Sequence, residues 1–251
     1  MRSFLPSELP VAKAHGLLLG AIGPRPIAFA GTIDSEGQPN LAPFSFFNVF
    51  SANPPVLIFS PARRGRDNTT KHTYENALSV KEVVINLVDY SMVHQMSLAS
   101  CEFPAGVNEY EKAGFTMLKS DTVRPWRVQE SPAQFECKIT EVLPLGKEGG
   151  AGNLVICEVL KMHFADHIID ENLRIDQEKI DTVGRMGGNY YVRANGAALF
   201  EVPKPGAVPG IGFDHLPEDV RQSKFLTGNN LGQLASVSEL PNEKDVNEWR
   251  L

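Results

Sequence analysis

Two long apolar runs, AQFECKITEVLPL (133–145) and NLVICEVLKMHFA (153–165), constrain the fold more than any other stretch. The glycine-rich KEGGAGN lies between them, so they read as a hairpin, and their weak alternation is that of strands buried on both faces. A second hairpin is written in IAFAGTID, which closes at Asp34-Ser35-Glu36-Gly37 and is followed by another apolar run. Pro43 lies inside that run and has no N–H for a central ladder, so the strand is interrupted, bulged or at an edge. VLIFS (56–60), set off by Asn53-Pro54-Pro55, and EVVINLV (82–88) add further strands.

The helical signals are short. HTYENAL reads as one helix, and Asp89 offers an N-cap to another from about Ser91 to Ala99, with Met92, Met96 and Ala99 at helical spacing. A third spans Glu109 to Ala113 and stops at Gly114. Leu17 to Ile22 reads as a short buried segment, either strand or helix. At least six closely spaced strands without regular βαβ alternation predict a mainly β fold, a small antiparallel barrel with short peripheral helices. The barrel domain is expected over 1–202. The extension 203–251 is rich in Pro, Gly, Asn, Ser and charge, with one helix near Glu218 to Phe225, and is expected either to wrap the body or a partner, or to be disordered.

Bulk properties exclude several function classes. A net charge of −6 argues against a nucleic-acid surface, which needs many clustered Lys and Arg contacts. Cys101, Cys137 and Cys157 are far apart and lack CxxC spacing, so neither disulfides nor zinc is expected, and a reducing cytoplasm is the simplest location. GLLLGAIG imitates a signal peptide, but Glu8 and the Pro24-Arg25-Pro26 interruption count against secretion. No apolar run approaches the ~20 residues that cross a bilayer.

The stretch Pro39 to Thr73 carries the chemistry. Its first half, APFSFFN, mixes Phe44, Phe46 and Phe47 with Ser45 and Asn48, and its second, SPARRGRDNTTKHT, gathers Ser60, three arginines and Lys71 before a helix start. Such a loop suits a phosphate monoester, although a solvated basic turn has the same composition. Its place directly after an aromatic strand favours the phosphate, because a planar ring tethered to an anion needs both surfaces together. There is no GxGxxG after a strand, no Walker loop and no GxSxG. GGAGN (149–153) reads as a flexible turn rather than a phosphate cradle. His163 and His167 follow a strand pattern, so their spacing does not make a helical metal pair. Glu109 and Glu111 fall on an expected surface helix, which leaves a two-carboxylate site unsupported.

NLAPFSFFN (40–48), FSPARRGRDNTTKHTYEN (59–76), EFPAGVNEYEKAG (102–114), ESPAQFECK (130–138) and VGRMGGNY (183–190) together resemble the flavin reductase-like, FMN-binding split-barrel family, over roughly residues 20 to 200. The resemblance implies a Greek-key split β-barrel, non-covalent FMN, a homodimer and hydride supply from NADH or NADPH, with a monooxygenase or an electron-transfer protein as a further partner. It implies that Pro43, Phe44, Ser45, Phe46, Phe47 and Asn48 line the isoalloxazine and that Ser60, Arg63, Lys71 and Thr73 hold the phosphate. Arg185, Gly187 and Tyr190 would close over the cofactor or the dimer seam. Phe103, Pro104 and His163 would flank the nicotinamide, while Arg64 and Arg66 would be solvated. His72 stands where the family often has Asp. A flavoredoxin-like electron carrier and a non-catalytic flavin-binding protein remain alternative readings of the same resemblance.

Overall fold

The computed structural model describes residues 1–204 and 206–248, which form two compact units, Met1–Leu199 and Phe200–Leu251. The division falls at Leu199, just ahead of the expected boundary at 202. In the first unit the chain runs through α1 (Val11–Ala21), β1 (Ala28–Ile33), β2 (Pro39–Phe44), β3 (Phe47–Ala52), β4 (Pro55–Phe59), α2 (His72–Ser79) and β5 (Glu82–Asn86). It continues through α3 (Val93–Leu98), α4 (Glu109–Ala113), β6 (Met117–Leu118), β7 (Arg127–Val128), β8 (Ala133–Pro144), β9 (Asn153–Phe164), β10 (Val183–Arg185) and β11 (Tyr191–Arg193).

Seven strands form one antiparallel sheet in the order β2-β1-β5-β8-β9-β4-β3, and β6-β7 and β10-β11 are small separate pairs. The two edges, β2 and β3, are consecutive in the chain and joined only by Ser45 and Phe46. A flat seven-stranded sheet is about 29 Å wide at ~4.8 Å per strand, whereas three extended residue steps reach only about 10 Å. The sheet must therefore curl until its edges meet, and because β2 and β3 do not pair, the closure is a seam without a ladder. This is a barrel with a split.

Edge strand β2 shows why Pro43 is tolerated. In its register with β1, Pro39, Leu41 and Pro43 alternate with Asn40 and Ala42. Both prolines lack an N–H, and the N–H of Leu41 donates to Glu109 Oε2 at 3.0 Å. No donor of that edge is left over. Glu109 is thus buried at 5% exposure, against the expectation of a surface helix, and burial raises its pKa despite the Leu41 bond. Helix α4 itself has the expected limits, with Asn108 accepting from the Tyr110 N–H and Gly114 left-handed at φ 72°.

The strands buried on both faces are β1 and β5 rather than the long hairpin. Phe29 of β1 packs with Leu41, Met92, Met96 and Tyr110, while Ala28 and Ala30 face Phe44, Phe59, Ile85 and Cys157. By contrast β8 and β9 alternate along much of their length and extend exposed ends beyond the core. The expected helix after Asp89 begins later, at Val93, and Asp89 Oδ1 accepts from the Met92 N–H at 3.2 Å. Of the two alternatives for Leu17 to Ile22 the helix formed, as the end of α1 with Ile22 as its C-cap, but it is not buried, since α1 has no buried residue.

One buried carboxylate fixes the 121–122 loop against β8 and β9. Glu136 accepts from the Asp121 N–H at 2.9 Å and from the N–H and hydroxyl of Thr122, both at 2.6 Å, with His163 Nε2 2.7 Å from its Oε1. Desolvation alone would raise its pKa, but these contacts outweigh it and hold the pKa at about 2.

The second unit has its own small core of Leu216, Leu231 and Ala235, with Ile211 and Val220 against it. It carries α5 (Glu218–Arg221), α6 (Gly228–Leu234) and α7 (Glu243–Glu248). The expected helix near Glu218 is present but ends at Arg221, and α6 starts at a Thr227–Asn230 capping box.

Because the folded pKa of Glu136 lies below its ordinary 4.5, its contribution to stability is complete above that value and is lost as pH falls from 4.5 towards about 2. Glu136→Gln should remove this acid limb and cost on the order of 3 kcal/mol at neutral pH, read by denaturant titration across pH. Identical pH–stability curves for the two proteins would contradict the assignment.

Candidate functional site

The seam opens onto a cleft of about 640 Å³, bounded by Val11, His15 and Leu19 of α1, by Pro43 to Phe46, and by Ser60, Arg63, Arg66 and Lys71. Its lining carries three cationic side chains and no carboxylate, in a chain of net charge −6. Lys71 Nζ sits 5.4 Å from the centroid of the Phe44 ring. Burial, and secondarily the charge of Arg64, lower the Lys71 pKa, with Glu102 opposing. Among the described residues Lys71 has no ion-pair partner. A half-buried ammonium beside an aromatic ring, with no direct ion pair among the described residues, is chemically suited to an external anion.

The basic loop is held open by its own contacts. Arg63 donates Nε and Nη2 to the side chain and carbonyl of Asn68, both at 2.6 Å. Its N–H donates to Ala151 O at 2.8 Å, and the Gly150 N–H returns a bond to Arg63 O at 3.0 Å. The 149–153 turn is therefore docked on the basic loop instead of hanging free, and Gly149 and Gly150 line the cleft. Ser60 joins the two sides: its N–H donates to Phe46 O, and its hydroxyl accepts from the Asn153 N–H at 3.0 Å.

The other expected residues separate into groups. Phe47 and Asn48 lie on β3, paired with Phe59 and Ile58, and do not line the cleft. Thr73 is 1% exposed, and its hydroxyl accepts from Asn40 Nδ2 at 3.0 Å, within a buried cluster of Thr32, Asn40 and Asn76. Its side chain thus serves the sheet. Thr73 and Phe103 border a minor hollow with Lys71, whereas Pro104 is exposed and lines none of these cavities. Arg64 is not solvated: it donates to Glu102 at 3.2 Å, to the Thr69 hydroxyl and to Thr70 O, with its side chain only 17% exposed. Arg66, 69% exposed, pairs with Asp67 and Glu102. His163 contacts Glu136 and lies on none of the cavities around the seam. Asp121, Glu136 and His163 gather ligand-type atoms, but four contacts already saturate Glu136 and Lys161 pairs with Asp121 at 2.6 Å.

A second cavity, of about 590 Å³, shares Pro43 and Ser45 with the first. Arg185 and Asn189 line it, while Tyr190 is 78% exposed on the surface. Gly187 packs against α1: a Cβ there would stand 2.8 Å from Gly20 Cα, so this glycine serves close approach of two backbones.

Sequence reasoning missed the α1 residues, because Gly16 and Gly20 weaken the helical signal and the helix buries nothing. It also missed Tyr90, His94, Tyr191 and Arg193, which line the second cavity. The dense aromatic and arginine content of 190–193 was the available signal.

A profile for the flavin reductase like domain matches residues 21–184. An uncharacterized protein of Aquifex aeolicus is 40% identical over 199 residues, which cover 79% of this chain and 99% of that protein. Component B of nitrilotriacetate monooxygenase from Bacillus cereus is similar in structure, with a TM-score of 0.75 and 31% identity over 80% of this chain and 98% of its own. A Shewanella frigidimarina protein described as a flavin reductase with a split barrel domain has a TM-score of 0.67 and 26% identity, over 79% of this chain and 95% of its own.

Thr73→Val separates the two possible roles of that hydroxyl. It should lower stability by about 1–3 kcal/mol, by leaving Asn40 short of an acceptor, and leave anion binding in the cleft intact. Unchanged melting with lost anion affinity would instead turn the hydroxyl towards the ligand.

Proposed function

Because this chain belongs to the flavin reductase like family, we propose that it is an NAD(P)H-dependent FMN reductase, with FMN held non-covalently in the cleft at the seam. The observation that carries this reading is the cleft itself, which combines an aromatic wall with three cations and no carboxylate. Lys71, Arg63 and Ser60 would hold the phosphate, and Pro43 to Phe46 with the Val11 and Leu19 side of α1 would bound the ring. When bound, FMN supplies a ring system that accepts a hydride from a reduced nicotinamide and returns the electrons to an acceptor.

The residues of this chain supply binding, orientation and exclusion of water. Phe44 and Phe46 narrow the cleft beside Lys71, so the ammonium works in a partly desolvated setting where an ion contact is stronger than in water. Ser60 ties the cleft wall to β9 through Asn153, which keeps the phosphate end fixed relative to the aromatic end. No proton-transferring side chain is needed for hydride delivery, which depends on stacking and dryness.

A second copy of the chain completes this reading. Helix α1 exposes Leu17 and Leu18, the adjoining Ile22 is also exposed, and edge strand β3 exposes Val49 and Phe50. These are apolar surfaces of the kind that pairing covers. The name of the Bacillus cereus relative supports a monooxygenase as the consumer of the reduced flavin. No described helix is long and apolar enough to cross a membrane.

Anaerobic mixing of the FMN-loaded protein with NADH, and separately with NADPH, should bleach the flavin absorbance with at least one of them. Failure of both would overturn the reductase assignment. Lys71→Ala should weaken FMN binding about 10- to 100-fold, the loss expected for one charged hydrogen bond. Since burial places the Lys71 pKa below 10.5, FMN affinity should begin to fall below that pH as the ammonium deprotonates, and Lys71→Arg should flatten the fall. Equal pH profiles for wild type and Lys71→Arg would remove Lys71 from the phosphate.

A further inference from the structure

The second cavity meets the cleft proposed for FMN along Pro43 and Ser45. Its floor is apolar, formed by Ile27, Val93, Met96 and Val183. Its rim carries two exposed tyrosines, each faced by an arginine: Arg193 lies 4.0 Å from the Tyr90 ring centroid and Arg185 4.6 Å from that of Tyr191. These two arginines differ in one respect. Arg193 makes a bidentate pair with Asp181, 2.7 Å at both oxygens, and is neutralised. Arg185 has no carboxylate partner among the described residues, and its guanidinium makes only a 3.5 Å contact to Tyr190 O. No Asp or Glu lines the cavity.

A stacked guanidinium without an acid, above an apolar floor and between aromatic rims, recognises a flat ring that bears an anion. We propose that this cavity binds a planar aromatic molecule carrying one anionic group, with Arg185 as the anion receptor and Tyr90 and Tyr191 beside the ring. The volume of about 590 Å³ suits one drug-sized molecule. Two sources share this chemistry: a free aromatic carboxylic acid, and the nicotinamide ribose phosphate half of a dinucleotide. A role as second substrate rests on the flavin reading, because only then does the shared ridge bring the ligand beside an electron carrier. The binding chemistry stands without it.

The test is a fluorine NMR titration of the full-length, FMN-supplemented protein with para-fluorobenzoate and with its neutral isostere para-fluorobenzamide. The benzoate should bind at least about tenfold more tightly, the factor for roughly 1.4 kcal/mol from one charge-assisted pair. Arg185→Gln should abolish that preference, and Arg185→Lys should keep part of it, with circular dichroism melting to show that both variants are folded. Displacement of the benzoate by nicotinamide mononucleotide assigns the site to the nucleotide, and its persistence assigns the site to aromatic acids; either supports the proposal. Equal binding of the two probes by wild type would overturn it, as would a preference that survives in folded Arg185→Gln. Release of FMN in proportion to bound benzoate would also overturn it, by placing both ligands in one cavity. The flavin reading fails separately: a protein that never retains FMN yet prefers the benzoate keeps this site and loses that one.

Discussion

The two-residue link between β2 and β3 is the constraint on which the rest of this structure depends. Ser45 and Phe46 cannot span a flat seven-stranded sheet, so the sheet rolls until its edges meet. Closing the seam with a ladder would require donors on the facing edge of β2. Pro39 and Pro43 remove two of them, and Glu109 occupies the third at Leu41. Both cavities beside the seam share Pro43 and Ser45 as a wall. The site lies where the barrel is prevented from closing.

Electrostatics follows the same line. The chain is acidic overall, yet neither cavity has a carboxylate in its lining. The acids nearby are engaged elsewhere: Glu102 with Arg64 and Arg66, Asp181 with Arg193, and Glu109 with the Leu41 N–H. Among the described residues, the cations left without an acid partner are Lys71 and Arg63 beside the first cavity and Arg185 beside the second. The surrounding acids therefore select which positive charges are available to ligands.

Much of the fold was legible because its signals are local. EVVINLV, the Asp34–Gly37 turn and the Gly114 stop each specify geometry within a few residues, and all three formed, although the strand ends at Asn86, two residues short of the expected 82–88. What escaped depends on distant partners. The burial of Glu109 cannot be read from α4, because its reason is the outward N–H of Leu41 on β2, which lies between the two prolines of that same strand. APFSFFN reads as one apolar run, and only the curl of the whole sheet divides it into an edge, a corner and a second edge. In the candidate site, Ser60, Arg63 and Lys71 came together as expected with Pro43 to Phe46. Thr73 did not, since its hydroxyl is claimed by Asn40, and His163 did not, since Glu136 holds it at the far part of β9. Composition ranked these hydroxyls and imidazoles alike; burial and partner choice distinguish them.

The absence of a ladder at the seam has a kinetic consequence. A ligand lodged between two paired strands can leave only by breaking cooperative backbone hydrogen bonds, which couples its exit to partial unfolding. Here the corner is tied by a single backbone bond, from the Ser60 N–H to Phe46 O, and otherwise the walls are side chains and the surface helix α1. Side-chain and loop fluctuations are far faster than the opening of a sheet. A barrel built this way can exchange its contents at the pace of its rim while its body stays rigid.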